Sequence, residues 1–451
     1  MDDPTTDKPY HTYRAGDGGD PSPPAPEAET PSAASVAPAH ASVRRGTRAA
    51  RRQRRRRVLG RRLVAAALVV AVCAAVVGVA AAWPLGGLLT QGSGTAAAEP
   101  SPGASASPAT SPSPRATLLV ARPEPLSLVD PAEQGFTITA GGDVLGDRSI
   151  RSVMDAHGPS GPFRRVASYF GASDFGLVNL ETPLTDKGSP QTWKDVVFKG
   201  DPRLAKGLSE AGINVVTLAN NHAMDQSASG MLDTMKWLRK YDVAACGAGK
   251  DLADAYTPRV LEADGVEVAF LGFTDVVPVG YPATPSSPGT TPGRSDVAAM
   301  KRAVARAAKR SDYVVVSWHW NFEFTTAPTA LELGEGKAAI DAGADLVIAH
   351  HPHVLQGIQA YHGGLIAYSL GDLVFDHCSG AMAETVLIKA EVNARRIEVK
   401  LIPAALAYDG TPARVRGEQA ASILGRVKSY SSALGTKVRI KDGLGYVTVK
   451  R

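Results

Sequence analysis

One short stretch constrains the fold more than any other. Leu346–Gln356 reads LVIAHHPHVLQ, an apolar run that ends abruptly in imidazoles. Leu346 to Ala349 has the length and composition of a short buried strand. His350, His351, Pro352 and His353 follow at once. Open α/β sheets place their sites beyond strand carboxyl ends, so this junction predicts a layered sheet with a metal site at its edge. His351 and His353 are two apart, and in an extended segment they point to one side. Pro352 stiffens the turn between them. A polar loop with incidental histidines is the plainer alternative, and three imidazoles within four positions weigh against it.

The chain from about Gly135 repeats the pattern. Phe136–Ala140, Asp174–Leu180, Asn214–Ala219, Val243–Ala245 and Tyr313–Ser317 read as strands. Residues 162–171 and 202–211, with Ser227–Lys240, Asp296–Lys309 and Leu331–Ala342, read as helices, and Gly212 and Gly343 stop two of them. Asp264-Gly265 marks a hairpin between Arg259–Ala263 and Val266–Phe273. His362-Gly363 marks another between Gln356–Tyr361 and Gly364–Ser369. Leu370–Phe375 follows, and late strand pairs near Glu384–Val392 and Arg396–Leu401 add antiparallel structure. Alternating strands and helices predict an α/β sheet layered by helices over residues 135–405. Residues 406–451 read as a C-terminal extension packed on that domain, with one helix and a terminal strand.

The amino-terminal third is of another kind. Residues 1–40 are rich in Pro, Ala, Ser and Asp, which predicts disorder. Eleven arginines and no acid fall within residues 41–62, beginning at Arg44 and ending at Arg62. They account for the net charge of +5, because residues 63–451 carry −1. A nearly neutral body argues against nucleic-acid binding. Leu63 to Trp83 has no charged residue and is long enough to cross about 30 Å of hydrocarbon. Arginines before it predict a cytoplasmic amino end and an anionic-lipid partner. The expectation is a cytoplasmic tail over 1–62, a single-pass anchor over 63–85, an Ala/Ser/Pro/Gly tether over 86–134, and a folded domain outside the cell membrane. A cleavable signal with Ala96–Ala98 as its site is the alternative, and the long polar region ahead of the apolar run opposes it. Cys73 lies in the apolar run; Cys246 and Cys378 read as two independent thiols.

Polar groups collect where the strands end: Asp143, Glu181, Asn221-His222, His319, and His351 with His353. Carboxylates, imidazoles and one amide oxygen suit Mn, Fe or Zn, and no thiolate joins them. Two divalent ions sharing a carboxylate would use the whole set as metal ligands. His222 is the candidate to stabilise or protonate a leaving oxygen, with Asp225 orienting it. Asn220, Glu323 and Asp372 are assigned to substrate. Plainer readings exist: Asp143 as a helix cap, Glu181 as a surface acid, Asp372 as a turn residue, His319 as a packed core histidine. His362 reads as a hairpin residue, and His157, His377 and Cys378 as surface or rim.

Six segments carry a resemblance: TAGGDVLGDRSI, LVNLETPLT, FKGDPRLAKGLSEAGINVVTLANNHAMD, VSWHWNFEF, GADLVIAHHPHVLQG and YSLGDLVFD. Over residues 135–376 the chain resembles the CapA-type capsule, or poly-γ-glutamate, biosynthesis proteins. That resemblance implies a four-layer α/β/β/α sandwich like that of the calcineurin-like metallophosphoesterases. It implies a metal centre at strand ends and work on a surface polymer or its phosphorylated precursor, beside other membrane polymer-synthesis proteins. It further implies that Asp143 is a ligand, that Glu181 bridges, that Asn221 is a ligand beside the leaving-group His222, and that His351 and His353 serve one metal each. His319 and Glu323 match the family's H-W-G-x-E segment. Three departures stand out: Asn321 replaces a glycine, Asp372 replaces an asparagine, and Gln226-Ser227 replace a glycine-bearing turn. Leu145 stands where a metallophosphoesterase D-x-H opening would have its histidine. A non-catalytic scaffold that binds polymer or metal is the alternative function.

Overall fold

Long apolar strands that must be covered on both faces dictate the architecture. A computed structural model describes residues 133–376 and 378–451. The tail, the anchor and all but the last two residues of the tether lie outside the described residues, as does His377. Among the described residues no helix is long and apolar enough to cross a membrane.

The strands of the two large sheets are β1 (Gly135–Val144), β2 (Phe175–Leu180), β3 (Val215–Thr217), β4 (Ala244–Cys246), β5 (Arg259–Ala263), β6 (Val266–Thr274), β7 (Tyr313–His319) and β8 (Leu346–His350). They continue as β9 (Ile358–Tyr361), β10 (Gly364–Ala367), β11 (Asp372–Val374), β12 (Glu384–Asn393), β13 (Arg396–Leu406), β14 (Pro412–Arg414), β15 (Arg439–Lys441) and β16 (Leu444–Lys450). The helices of eight residues or more are α1 (Ser149–His157), α2 (Arg203–Glu210), α3 (Ser227–Lys240), α4 (Val297–Arg310), α5 (Ala330–Ala342) and α6 (Gly417–Ala433). The first sheet has ten strands in the order β15-β16-β13-β12-β1-β2-β3-β4, with β11 beside β1 and β14 beside β13. The second has six, in the order β9-β10-β8-β7-β6-β5. β1 to β4 run parallel in the first sheet, and β6, β7, β8 and β10 run parallel in the second.

Side-chain alternation along each strand sorts its residues between two cores. Phe136, Ile138, Phe175, Leu177 and Val215 of the first sheet meet Phe270, Val315, Leu346 and Ile348 of the second in one cluster. Their neighbours face outward. Val144, Val178 and Val216 pack under α1, α2 and α3, and Val316, Trp318 and Val347 pack under α4 and α5. The result is four layers, helix–sheet–sheet–helix, with both sheets covered on both faces.

Most expected elements are present with ends moved by a residue or two. Residues 162–171 are the exception: they form a 3-10 turn at Gly161–Phe163 and a separate four-residue helix, Ala167–Phe170. Residues 406–451 also do more than pack on the domain. Ile423, Leu424 and Val427 of α6, with Val447 and Val449 of β16, belong to the core between the sheets.

Candidate metal centre

The strand registers explain why polar residues meet. In the first sheet Asp372, Asp143, Asn179 and Thr217 form one row across β11, β1, β2 and β3. In the second, Thr274, His319 and His350 form another across β6, β7 and β8. Both rows continue inward-facing positions, so the apolar core turns polar at the carboxyl ends of the parallel strands. Close backbone approach fixes β1 here: a Cβ on Gly142 would lie 1.7 Å from the Gly371 carbonyl oxygen, so only glycine fits before Asp143.

Asp143 is fully buried and thoroughly engaged. Its Oδ1 accepts a hydrogen bond from Asn179 Nδ2 at 2.8 Å and lies 3.3 Å from His350 Nδ1. Its Oδ2 accepts the His351 backbone N–H at 3.1 Å. Burial pushes this carboxyl up, but His350, His353 and Asn179 together hold it below the ordinary carboxylate value. Glu181 shows the opposite balance: burial first, then the Asp143 charge, raise it well above its usual value. Glu181 Oε2 accepts from Asn179 Nδ2 at 3.3 Å, and its Oε1 makes no hydrogen bond.

The imidazoles come from the ends of three strands and the turns that follow them. His319 Nε2 is 2.9 Å from Asn221 Oδ1, and its Nδ1 is 3.3 Å from Asn179 Nδ2. His351 and His353 have φ of 97° and 55°, so both are left-handed. Their convergence is therefore the work of a strained turn, not of the extended segment the two-residue spacing suggested. His353 Nδ1 is 2.7 Å from Asp372 Oδ1. Burial lowers the His353 pKa, but the charges of Asp372 and Glu181 raise it well above the usual value. Burial, with the neighbouring His353, takes His351 down to about 3. His222 pairs through Nδ1 with Asp225 Oδ2 at 2.6 Å and lies against Phe198 with ring centroids 4.3 Å apart.

Three overlapping groups bring ligand atoms within 4.8 Å of one another: Glu181–His319–His351, Glu323–His351–His353 and Asp143–Glu181–His353. Glu181 Oε1, His350 Nε2 and His351 Nδ1 are buried without a hydrogen-bond partner. Leaving such atoms unpaired is costly unless something else takes their lone pairs. Carboxylate oxygens and neutral imidazole nitrogens are what a divalent cation coordinates, so the residues present fit one.

The other expected residues fall into different positions. Asp225 is fully enclosed and holds His222 from behind. Asn220, assigned to substrate from the sequence, is fully buried and donates to Asn179 Oδ1 and the Leu180 carbonyl, both at 2.9 Å. It braces the loop, because its Oδ1 also accepts the His222 N–H at 3.0 Å. Asp372, likewise assigned to substrate, is buried against His353 and accepts the Cys378 thiol at 3.3 Å. Glu323 belongs with the ligand groups. Cys246 and Cys378 are both free thiols.

Four residues at the site have no individual role assigned from the sequence. Asn179 ties two carboxylates and His319 together, and His350 sits beside Asp143. Period-two alternation through Phe175 and Leu177, and through Leu346 and Ile348, points both inward and could have found them. Lys194 donates to the Asn221 carbonyl at 2.7 Å and forms an ion pair with Asp225. Tyr281 donates to Asp225 Oδ1 at 2.9 Å. Both sit on irregular loops, where no periodic signal exists.

The family described as bacterial capsule synthesis protein PGA_cap matches residues 137–377. The chain is 37% identical over 246 residues to the capsule biosynthesis protein CapA of Bacillus anthracis, covering 53% of this chain and 60% of that protein. It is 34% identical over 280 residues to the PGA biosynthesis protein CapA of Bacillus subtilis, covering 61% of this chain and 72% of that protein. The chain thus spans less than two thirds of the Bacillus anthracis protein. Among solved structures, TT1561 of Thermus thermophilus is similar at a TM-score of 0.33 and 13% identity, over 58% of this chain and 100% of that one.

Proposed function

Because the chain belongs to the family described as bacterial capsule synthesis protein PGA_cap, we propose that it acts in producing or exporting a surface polymer through a metallophosphoesterase-type hydrolytic site. The observation that carries this reading is the set of overlapping histidine–carboxylate groups with orphaned ligand atoms. Glu181, His319 and His351 would hold one divalent cation, and Glu323 with His353, or Asp143 with His353, a second. Glu181, His351 and His353 each belong to two groups, which suits a pair of cations; the donor types suit Mn, Fe or Zn. Such cations supply Lewis acidity toward a phosphoryl or acyl oxygen. The chain's own residues do the rest. Asp225 holds the His222 Nδ1 proton, which leaves Nε2 to take a proton or return it to a leaving oxygen. Lys194 and Tyr281 fix Asp225 in turn.

In the same reading the arginine block meets anionic lipid, Leu63 to Trp83 spans the cell membrane, and the domain works outside on a polymer or its phosphorylated precursor, beside other membrane proteins. Nucleic acid has no part in it. Elemental mass spectrometry on the full-length chain tests the site. Bound transition metal lost in a His351→Ala/His353→Ala double variant is the expected result. The His222→Ala variant should keep its metal and lose hydrolysis of an aryl phosphodiester or of poly-γ-glutamate. A metal-loaded wild-type chain that turns over neither probe overturns the hydrolytic part and leaves the polymer-binding scaffold.

A further inference from the structure

Away from the metal centre, the other end of the first sheet carries a concentration of positive charge. An open cleft of about 1000 Å³ lies between α6 and the β15–β16 hairpin. Lys428, Lys437, Arg439 and Lys441 line it, against a single acid, Asp442. All four cations are exposed, and none makes an ion pair among the described residues. The sheet register extends the charge. Lys389, Lys400, Tyr446 and Arg439 are cross-strand neighbours on β12, β13, β16 and β15. Paired residues share a face, so three cations and one tyrosine run in a row with a strand spacing of about 4.8 Å. β15 is the last strand of its sheet, and residues 417–451 lie wholly beyond the part that matches the family.

We propose that this cleft holds an extended polyanion with repeated carboxylates, as a second site distinct from the metal centre. Four unpaired cations around one concavity repel one another, and a linear chain with regularly spaced negative groups relieves them all at once. A flat anionic bilayer would reach only the rim of a concave surface. Single-stranded nucleic acid would want exposed aromatic faces for stacking, and the cleft offers only the half-buried Tyr446. The choice of carboxylate rests on the proposed role in polymer production, whereas the unpaired cations call for a polyanion of any kind.

The test is a residue-by-residue lysine acetylation footprint of the full-length chain, read by mass spectrometry with and without poly-γ-glutamate. A site-resolved readout is needed because the arginines of residues 44–62 also attract polyanions. Loss of acetylation is expected at Lys428, Lys437 and Lys441, with Lys301 and Lys309 of α4 unchanged. The Lys428→Gln/Lys437→Gln/Arg439→Gln/Lys441→Gln variant should lose about tenfold or more in affinity, since four exposed charge contacts go together. All four positions are exposed, so the fold should survive, which circular dichroism checks. Equal acetylation with and without polymer overturns the proposal, and so does protection given by anionic vesicles but not by polymer. Failure of hydrolysis at the metal centre would leave the footprint untouched, so the two readings fail separately.

Discussion

Lys194 is the cation on which the buried charge of Asp225 depends. Asp225 is fully enclosed and takes bonds from Lys194, Tyr281, His222 and the Phe198 N–H. Replacing Lys194 by methionine keeps much of the side-chain bulk and removes the charge. Breaking a buried pair from one side costs about 3–5 kcal/mol, so Lys194→Met should shift chemical denaturation by roughly that amount. The His222 pKa should rise in this variant. Burial is what chiefly holds it down, but the Lys194 charge adds to that, and NMR titration of the ring would register the release. His351 makes a second prediction. In the metal-free fold burial depresses it to about 3, whereas in the unfolded chain it titrates near its ordinary value of 6.5. The unfolded state therefore binds more protons between those values, and the stabilisation, complete above pH 6.5, is lost as pH falls toward 3. Compared with His351→Asn, the wild-type chain should lose about 1.4 kcal/mol per pH unit across that window, measured by urea unfolding in chelator. His353 works in the other direction at higher pH, since its raised pKa gives stability that is lost only as pH rises through the folded value.

At the level of elements, regular periodicity was readable and irregular geometry was not. Ser227–Lys240 reads as a helix from its repeat and forms one with the same ends. The Asp264-Gly265 and His362-Gly363 hairpins form where the turn residues put them. Residues 162–171 do not form one helix: Val166, at φ −126°, leaves helical geometry between the 3-10 turn that ends at Phe163 and the four-residue helix that begins at Ala167. The close approach of the two sheets left no mark in the sequence at all. A Cβ on Gly272 of β6 would lie 2.6 Å from Thr217 Oγ1 of β3 and 2.8 Å from Gly247 Cα. Gly272→Ala should thus force the layers apart and cost about 1–3 kcal/mol by overpacking. Gly334 of α5 makes the contrast, since nothing lies within 4 Å of a Cβ there. Gly334→Ala should gain about 0.5–1 kcal/mol from helix propensity, so denaturation midpoints of the two variants should move in opposite directions.

On the scale of the molecule, the carboxyl-terminal segment is part of the fold's interior. Ile423, Leu424, Val427, Val438, Val447 and Val449 all enter the core between the sheets. Six buried aliphatic side chains at about 1.5–3 kcal/mol each match or exceed the whole stability of an ordinary domain. A chain ending at Leu406 should not fold, and loss of the cooperative thermal transition in circular dichroism is the expected observation. If that chain melts cooperatively, the segment is an appendage after all.

The layered α/β class, the order of strands and helices, and the gathering of carboxylates and imidazoles at strand ends are all legible in the order of residues. Those properties are local: apolar periodicity, turn residues and the junction from apolar run to polar cluster all lie within a few positions. Which of those groups face one another depends on how the sheets pair and pack. Cross-strand register sets Asp143 beside Asn179 and Asp372, and packing of the two sheets sets that row against His319 and His350. Tertiary packing also buries Asn220 against Asn179 and Asp372 against His353, and brings Lys194 and Tyr281 to Asp225. Residues far apart in the chain meet through register and layer spacing, and neither is encoded in any short window of sequence.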